Sequence, residues 1–209
     1  MTTSTKAVGA ITVVLVILLV DQVIKIWVKT HFALGGDVEI ASWFHIRFIE
    51  NKGMAMGIEV FGKLFLTIFR LIASLAIAYY IYMLIRDKFN IGYIILVSMI
   101  FAGAVGNIID SVFYGVIFSE STSVQVASLF PAEGGYGSWL QGEVVDMFYF
   151  PFFRFTWPSW IPWIGGSEFE FFRYIFNFAD ASISVGIIVL LLFFRKTLSL
   201  SLGKQDVEK

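Results

Sequence analysis

Long apolar runs alternate along the chain with stretches that mix aromatic and polar residues. A hydrocarbon core of about 30 Å takes about 20 helical residues to cross. Four segments qualify: roughly 8–28, 64–85, 91–110 and 174–194. The first starts behind Lys6 as a secretory leader would. Its apolar run continues through "DQVIKIWV" with no small-residue cleavage site, which predicts a retained helix. Between the first two runs, "DVEIASWFHIRFIENKGMAMGIEV" alternates in part and carries β-branched and aromatic residues, so short strands are expected there. The stretch before the fourth run has two unlike halves. Residues 119–143 are Gly/Ser-rich and sparsely charged, which predicts a flexible excursion. Residues 151–172 are crowded with Phe, Trp and Pro, which favour the headgroup level of a bilayer.

The pattern therefore predicts an all-α membrane protein: one domain over 1–209, four transmembrane helices, a small β-containing outer element and an extended second outer loop. Composition agrees, with 58% hydrophobic and 15% charged residues, against about 25% charged in a soluble domain. Basic residues set the orientation. Seven fall on the side holding both termini and the 86–90 turn: Lys6, Arg86, Lys88, Arg195, Lys196, Lys204 and Lys209. The other side has six in two much longer loops, about 30–63 and 111–173. The terminal side is read as cytoplasmic. A net charge of −1 without a basic stretch gives no reason to expect nucleic acid. The absence of Cys excludes thiolate catalysis and Cys-ligated metals, and His31 and His45 belong to no HExxH pattern, so neither metal nor cofactor is expected.

Costly polar residues converge on one layer. Measured at about 1.5 Å per residue, Asp180 lies about 9 Å below the outer edge of the fourth run, three residues after Asn177 on the same face. Arg70 and Asp21 fall at a similar depth, and Lys25 lies one turn from Asp21. Asn107 and Asp110 end the third run, and Asp146 follows on the outer side. Structural ion pairs account for Asp21 with Lys25, and for Arg70 with some carboxylate. They leave a surplus of acids, and intramembrane acids are functional candidates by default. A proton-coupled transporter or channel also places acids in helices. It needs a polar path to the cytoplasmic side, which "ITVVLVILL" and "GIIVLLLFF" do not offer. The small residues Ala102, Gly103, Ala104 and Gly106 allow close helix approach.

"DQVIK" (21–25), "ENKGMAMG" (50–57), "GNIID" (106–110), "VVDMF" (144–148) and "FNFADA" (176–181) occur in this order on the four-helix frame. The set resembles the lipoprotein signal peptidases, or signal peptidase II. The resemblance implies an intramembrane aspartic endopeptidase of the bacterial cytoplasmic membrane. Such an enzyme removes the signal peptide from diacylglyceryl-modified prolipoproteins, cutting before the lipid-modified Cys near the outer face. It further implies Asp146 and Asp180 as the catalytic pair, with Asp21, Lys25, Asn51, Gly53, Asn107, Asp110 and Asn177 binding substrate or supporting the site. Membrane lipids are expected as surroundings and globomycin-type inhibitors as ligands. Two features depart from the family pattern. Ser111 stands where the family usually has Arg, a role that Arg70 is a candidate to supply. The stretches on either side of Asp146 are also longer than usual, which predicts an added outer-surface element over the site, acting as a lid or docking surface.

Overall fold

The computed structural model describes residues 1–51 and 62–203. Three helices are long and apolar enough to cross a membrane: α1 (Thr3–His31), α2 (Lys63–Arg86), and α3 (Ile91–Ile109) with its continuation to Ile117. That continuation is a π-helical segment, Asp110–Tyr114, followed by the short α4 (Gly115–Ile117). A further helix, α5 (Phe178–Phe193), bends by 91° into α6 (Arg195–Gly203), and the pair counts as a fourth span when taken together. The strands β1 (Asp37–Ala41), β2 (Phe44–Asn51) and β3 (Val144–Tyr149) form an antiparallel sheet in that order. Strands β4 (Phe153–Thr156) and β5 (Glu168–Phe171) form a separate hairpin.

The helices pack where side chains are small. A methyl group added at Gly103 would lie 2.3 Å from Ala179 O, and one at Gly106 would lie 2.8 Å from Asp21 Oδ2. Gly103 thus brings α3 to the backbone of α5, and Gly106 leaves room for the Asp21 carboxylate of α1, close approaches that larger side chains would block. At the opposite end of the bundle, Lys6 closes the α2–α3 turn by donating from Nζ to Lys88 O at 2.9 Å.

Several expectations are corrected. The fourth helix begins at Phe178, not at 174, because the Asn177 side chain accepts the Asp180 N–H and caps it. Residues just before it belong to the sheet, where Phe176 bridges to Phe148. Asp180 thus lies in the first turn of α5, shallower than the 9 Å reading placed it. The third helix runs past Asp110 to Ile117, so the second outer loop starts later than 111. The strand-like stretch after α1 yields β1 and β2, while residues 52–61, including Gly53, lie outside the described residues.

The Gly/Ser-rich stretch 119–143 is a packed brace, not a flexible excursion. Its backbone bonds along the C-terminal end of α3 and its continuation: Tyr136 N to Phe118 O at 2.9 Å, Gly137 N to Gly115 O at 2.8 Å, and Gly142 N to Ser111 O at 2.8 Å. A methyl group at Gly142 would sit 2.0 Å from Asp110 O, so the residue's lack of a side chain is what lets the brace lie flat. The buried Lys29 of α1 pins it, pairing with Glu50 of β2 and donating to Ser121 Oγ at 2.9 Å, with its Nζ 4.9 Å from the Tyr136 ring centroid. The aromatic half forms the exposed β4–β5 hairpin, where Phe153 stacks on Phe171 with centroids 4.8 Å apart.

Candidate active site

The sheet end of the bundle gathers the acids into two adjoining groups. In the first, Lys25 spends all three donors: on Asp21 Oδ2 at 3.0 Å, Asp110 Oδ2 at 2.8 Å and Asn107 Oδ1 at 2.8 Å. Every carboxylate oxygen here is satisfied. Asp21 Oδ1 accepts the Ala179 N–H at 2.9 Å, fixing the start of α5 to α1. Asp110 Oδ2 accepts the Val145 N–H at 3.2 Å, fixing β3 to α3. Gln22 Nε2 donates to Asp21 Oδ2 at 3.1 Å and Asp110 Oδ1 at 3.0 Å, while its Oε1 accepts the Tyr114 hydroxyl at 3.1 Å. Asp21, Lys25 and Asp110 have no exposed surface. They therefore tie the surrounding elements together and present no surface to a ligand.

The second group is Asp146 on β3 and Asp180 on α5, with two amides between them. The amide orientations follow from donors that are unambiguous. Asn177 Oδ1 accepts the Asp180 backbone N–H at 2.9 Å, so its Nδ2 faces Asp146 Oδ1 at 2.7 Å and Asn107 Oδ1 at 3.0 Å. Asn107 Oδ1 accepts from Lys25, so its Nδ2 faces Asp180 Oδ1 at 2.7 Å. Each carboxylate is thus tied through Oδ1. Among the described residues each Oδ2 holds only a long contact: Asn51 Nδ2 at 3.3 Å for Asp146, and the Asn177 N–H at 3.5 Å for Asp180. Asn177 is fully buried, whereas Asn51, Asn107 and Asp180 keep some exposure. Burial, with the Asp180 charge beside it, pushes the Asp146 carboxyl up to about 7, against the hydrogen bonds from Asn51 and Asn177. Desolvation and a like charge both favour a bound proton here.

Eight of the nine residues singled out from the sequence fall within these two groups, and Gly53 is outside the described residues. The expected Asp21–Lys25 ion pair is present, but Arg70 forms no ion pair within 4 Å among the described residues. Ser111 Oγ turns back to Asn107 O at 3.0 Å and offers no replacement for a basic group. Gln22 was passed over in "DQVIK", although it lies three residues from Lys25 and so shares its face.

Residues 13–196 match the peptidase family described as signal peptidase (SPase) II. The chain belongs to the signal peptidase II family. It is 52% identical over 204 residues to a lipoprotein signal peptidase of Porphyromonas gingivalis, covering 97% of this chain and 89% of that one. A lipoprotein signal peptidase of Amoebophilus asiaticus is 31% identical, covering 93% and 80%. A solved bacterial membrane enzyme superposes with a TM-score of 0.59 at 26% identity, covering 90% of this chain and 92% of that one. The architecture of this signal peptidase II is thus that of a membrane enzyme, predominantly helical with small antiparallel sheets.

Proposed function

We propose that the chain is an aspartic endopeptidase that removes the signal peptide from diacylglyceryl-modified prolipoproteins, with Asp146 and Asp180 as its catalytic pair. The observation that carries this reading is the amide-bridged pair: two carboxylates from different elements, each held firmly through one oxygen and, among the described residues, only by a long contact at the other. Like charges this close share one proton. The ionised member takes a proton from water as the water oxygen attacks the scissile carbonyl carbon. The protonated member donates to the carbonyl oxygen. Collapse of the tetrahedral intermediate breaks the C–N bond; the leaving nitrogen takes the proton gained from water, and one hydroxyl of the intermediate returns its proton to the carboxylate that had donated it, restoring the pair. The values belong to the pair, so the proton is assigned to neither residue.

In this reading α5–α6 completes a fourth span, both termini face the cytoplasm, and the sheet end faces outward. The acyl chains of the substrate anchor its modified Cys at the membrane surface, where a carboxylate in the first turn of α5 can meet the peptide bond while water enters from outside. Cleavage falls before that Cys. The β4–β5 hairpin, with Trp160 and Trp163 exposed nearby, lies along the outer headgroup layer and borders the substrate's path.

The test is incubation of the protein in lipid with a prolipoprotein in its diacylglyceryl-modified and unmodified forms, read by gel shift. Wild type should cleave only the modified form, and Asp146→Asn and Asp180→Asn should each abolish cleavage. Cleavage that survives either replacement removes that residue from the catalytic pair.

A further inference from the structure

Arg70 is a charged residue of the polar layer that neither group of acids uses. Its guanidinium makes no hydrogen bond and no ion pair within 4 Å among the described residues. Its direction is nevertheless fixed by its helix. Along α2 only Thr67, Ser74 and Leu84 are buried. Thr67 and Ser74 lie three residues before and four after Arg70, so the three share one stripe. Flanking residues such as Phe65, Phe69 and Ile72 are exposed. Thr67 Oγ1 donates to Leu140 O of the brace at 3.2 Å, which turns this stripe toward the sheet end of the bundle. Ser74 Oγ is bonded to Arg70 O at 2.8 Å. The carboxylates of Asp180 and Asp146 are the charges that act on Arg70, from beyond contact distance.

A guanidinium in a low-dielectric layer is costly unless it is paired. Had charge balance been its whole role, contact with a carboxylate would serve best, as Lys25 shows with Asp21 and Asp110. Arg70 instead stands off from a pair of carboxylates whose outer oxygens are also loosely held. An extended peptide between them would give both sides closer partners than the described residues do.

We propose that Arg70 is a substrate-contacting residue whose guanidinium fork donates to main-chain carbonyl oxygens of the prolipoprotein beside the scissile bond, opposite Asp146 and Asp180. This rests on the proposed peptidase function. The planar fork grips two acceptors at fixed spacing, which a lysine ammonium does not. One donor placed near the carbonyl being attacked also gains strength as negative charge develops there.

The experiment compares wild type, Arg70→Gln and Arg70→Lys on a fluorogenic diacylglyceryl-modified peptide in lipid nanodiscs, together with thermal unfolding of each. Binding of the same peptide is measured in the Asp180→Asn background with and without Arg70→Gln. Arg70→Gln should lower kcat/KM about 100-fold, leave Tm within about 2 °C because no hydrogen bond or ion pair to a described residue is lost, and weaken peptide binding about tenfold. Arg70→Lys should remain about tenfold below wild type. Full activity of Arg70→Lys would reduce the residue to a point charge and overturn the contact. So would wild-type activity or unweakened binding with Arg70→Gln, or unfolding of both variants, which would make Arg70 structural. A wild type that leaves the modified peptide intact overturns the peptidase reading itself, whatever the Arg70 variants do.

Discussion

Two pairs of carboxylates lie side by side at the sheet end, and the chain treats them in opposite ways. Asp21 and Asp110 share Lys25 at 3.0 and 2.8 Å, and all four of their oxygens are bonded. Asp146 and Asp180 have amides where the first pair has a cation, and each keeps one oxygen on a long contact. The first pair is finished: its charges are neutralised, and it ties α1, α3, α5 and β3 together. The second is unfinished, and an incomplete carboxylate is one that can still exchange a proton or accept a substrate. Asn107 joins them, accepting from Lys25 and donating to Asp180. In the proposed reading, the first pair serves stability and the second serves the reaction.

Replacements that exchange these characters should break the comparison most sharply. Asp146→Asn or Asp180→Asn should lower the cleavage rate by about 10⁴-fold or more while the protein still folds, as measured by cleavage of a lipidated peptide and by thermal unfolding. Lys25→Met should act the other way. It leaves Asp21 and Asp110 facing each other in a sealed site and should cost about 3–5 kcal/mol of stability. Adding Asp21→Asn and Asp110→Asn to it should restore much of the loss in the same unfolding assay. Asn177→Ala touches both characters, because it removes the cap of α5 and the 2.7 Å donor to Asp146. It should cost about 1–2 kcal/mol and lower kcat about 10–100-fold, with less change in KM.

The smallest effect concerns pH. Asp146 has its carboxyl raised to about 7 by burial and the neighbouring Asp180 charge. Below about pH 4 it is protonated in both folded and unfolded chains and makes no difference. As pH rises toward 7, the unfolded chain ionises first and the folded state loses stability. Asp146→Asn should therefore become more stable than wild type over this window, by on the order of 4 kcal/mol at its upper end. Unfolding midpoints across the window check it. A flat difference would mean that Asp146 is not held protonated by its surroundings.

The long helices were legible because membrane spans are read from length and apolarity, and the acids stood out because lipid makes them expensive. Other features were hidden for specific reasons. Asn177 and Asp180 lie within an apolar run, so hydropathy extended the helix across them, whereas the capping bonds start it at Phe178. The β3 segment "VVDMFY" is buried on both faces, so it shows no alternation to mark it as a strand. Residues 119–143 have the composition of a loose loop, but their glycines serve close contact with the α3 backbone, and the lysine that pins them lies far away in α1. The partners of Arg70 could not be read from the sequence, since a lone cation within reach of several acids invites pairing. Only the inward stripe of Thr67 and Ser74 shows where it is aimed.

The clamp from Asp21 Oδ1 to the Ala179 N–H joins the first helix to the last long one. A chain emerging from the ribosome presents Asp21 and Lys25 to the membrane long before Asp146 and Asp180 have been made. The early residues can pair with each other and wait, whereas the later pair arrives only as synthesis nears its end. Order of manufacture therefore acts as a safeguard: a copy that ends before Ala179 lacks both this clamp and Asp180, so the proposed catalytic pair exists only once the clamp can close.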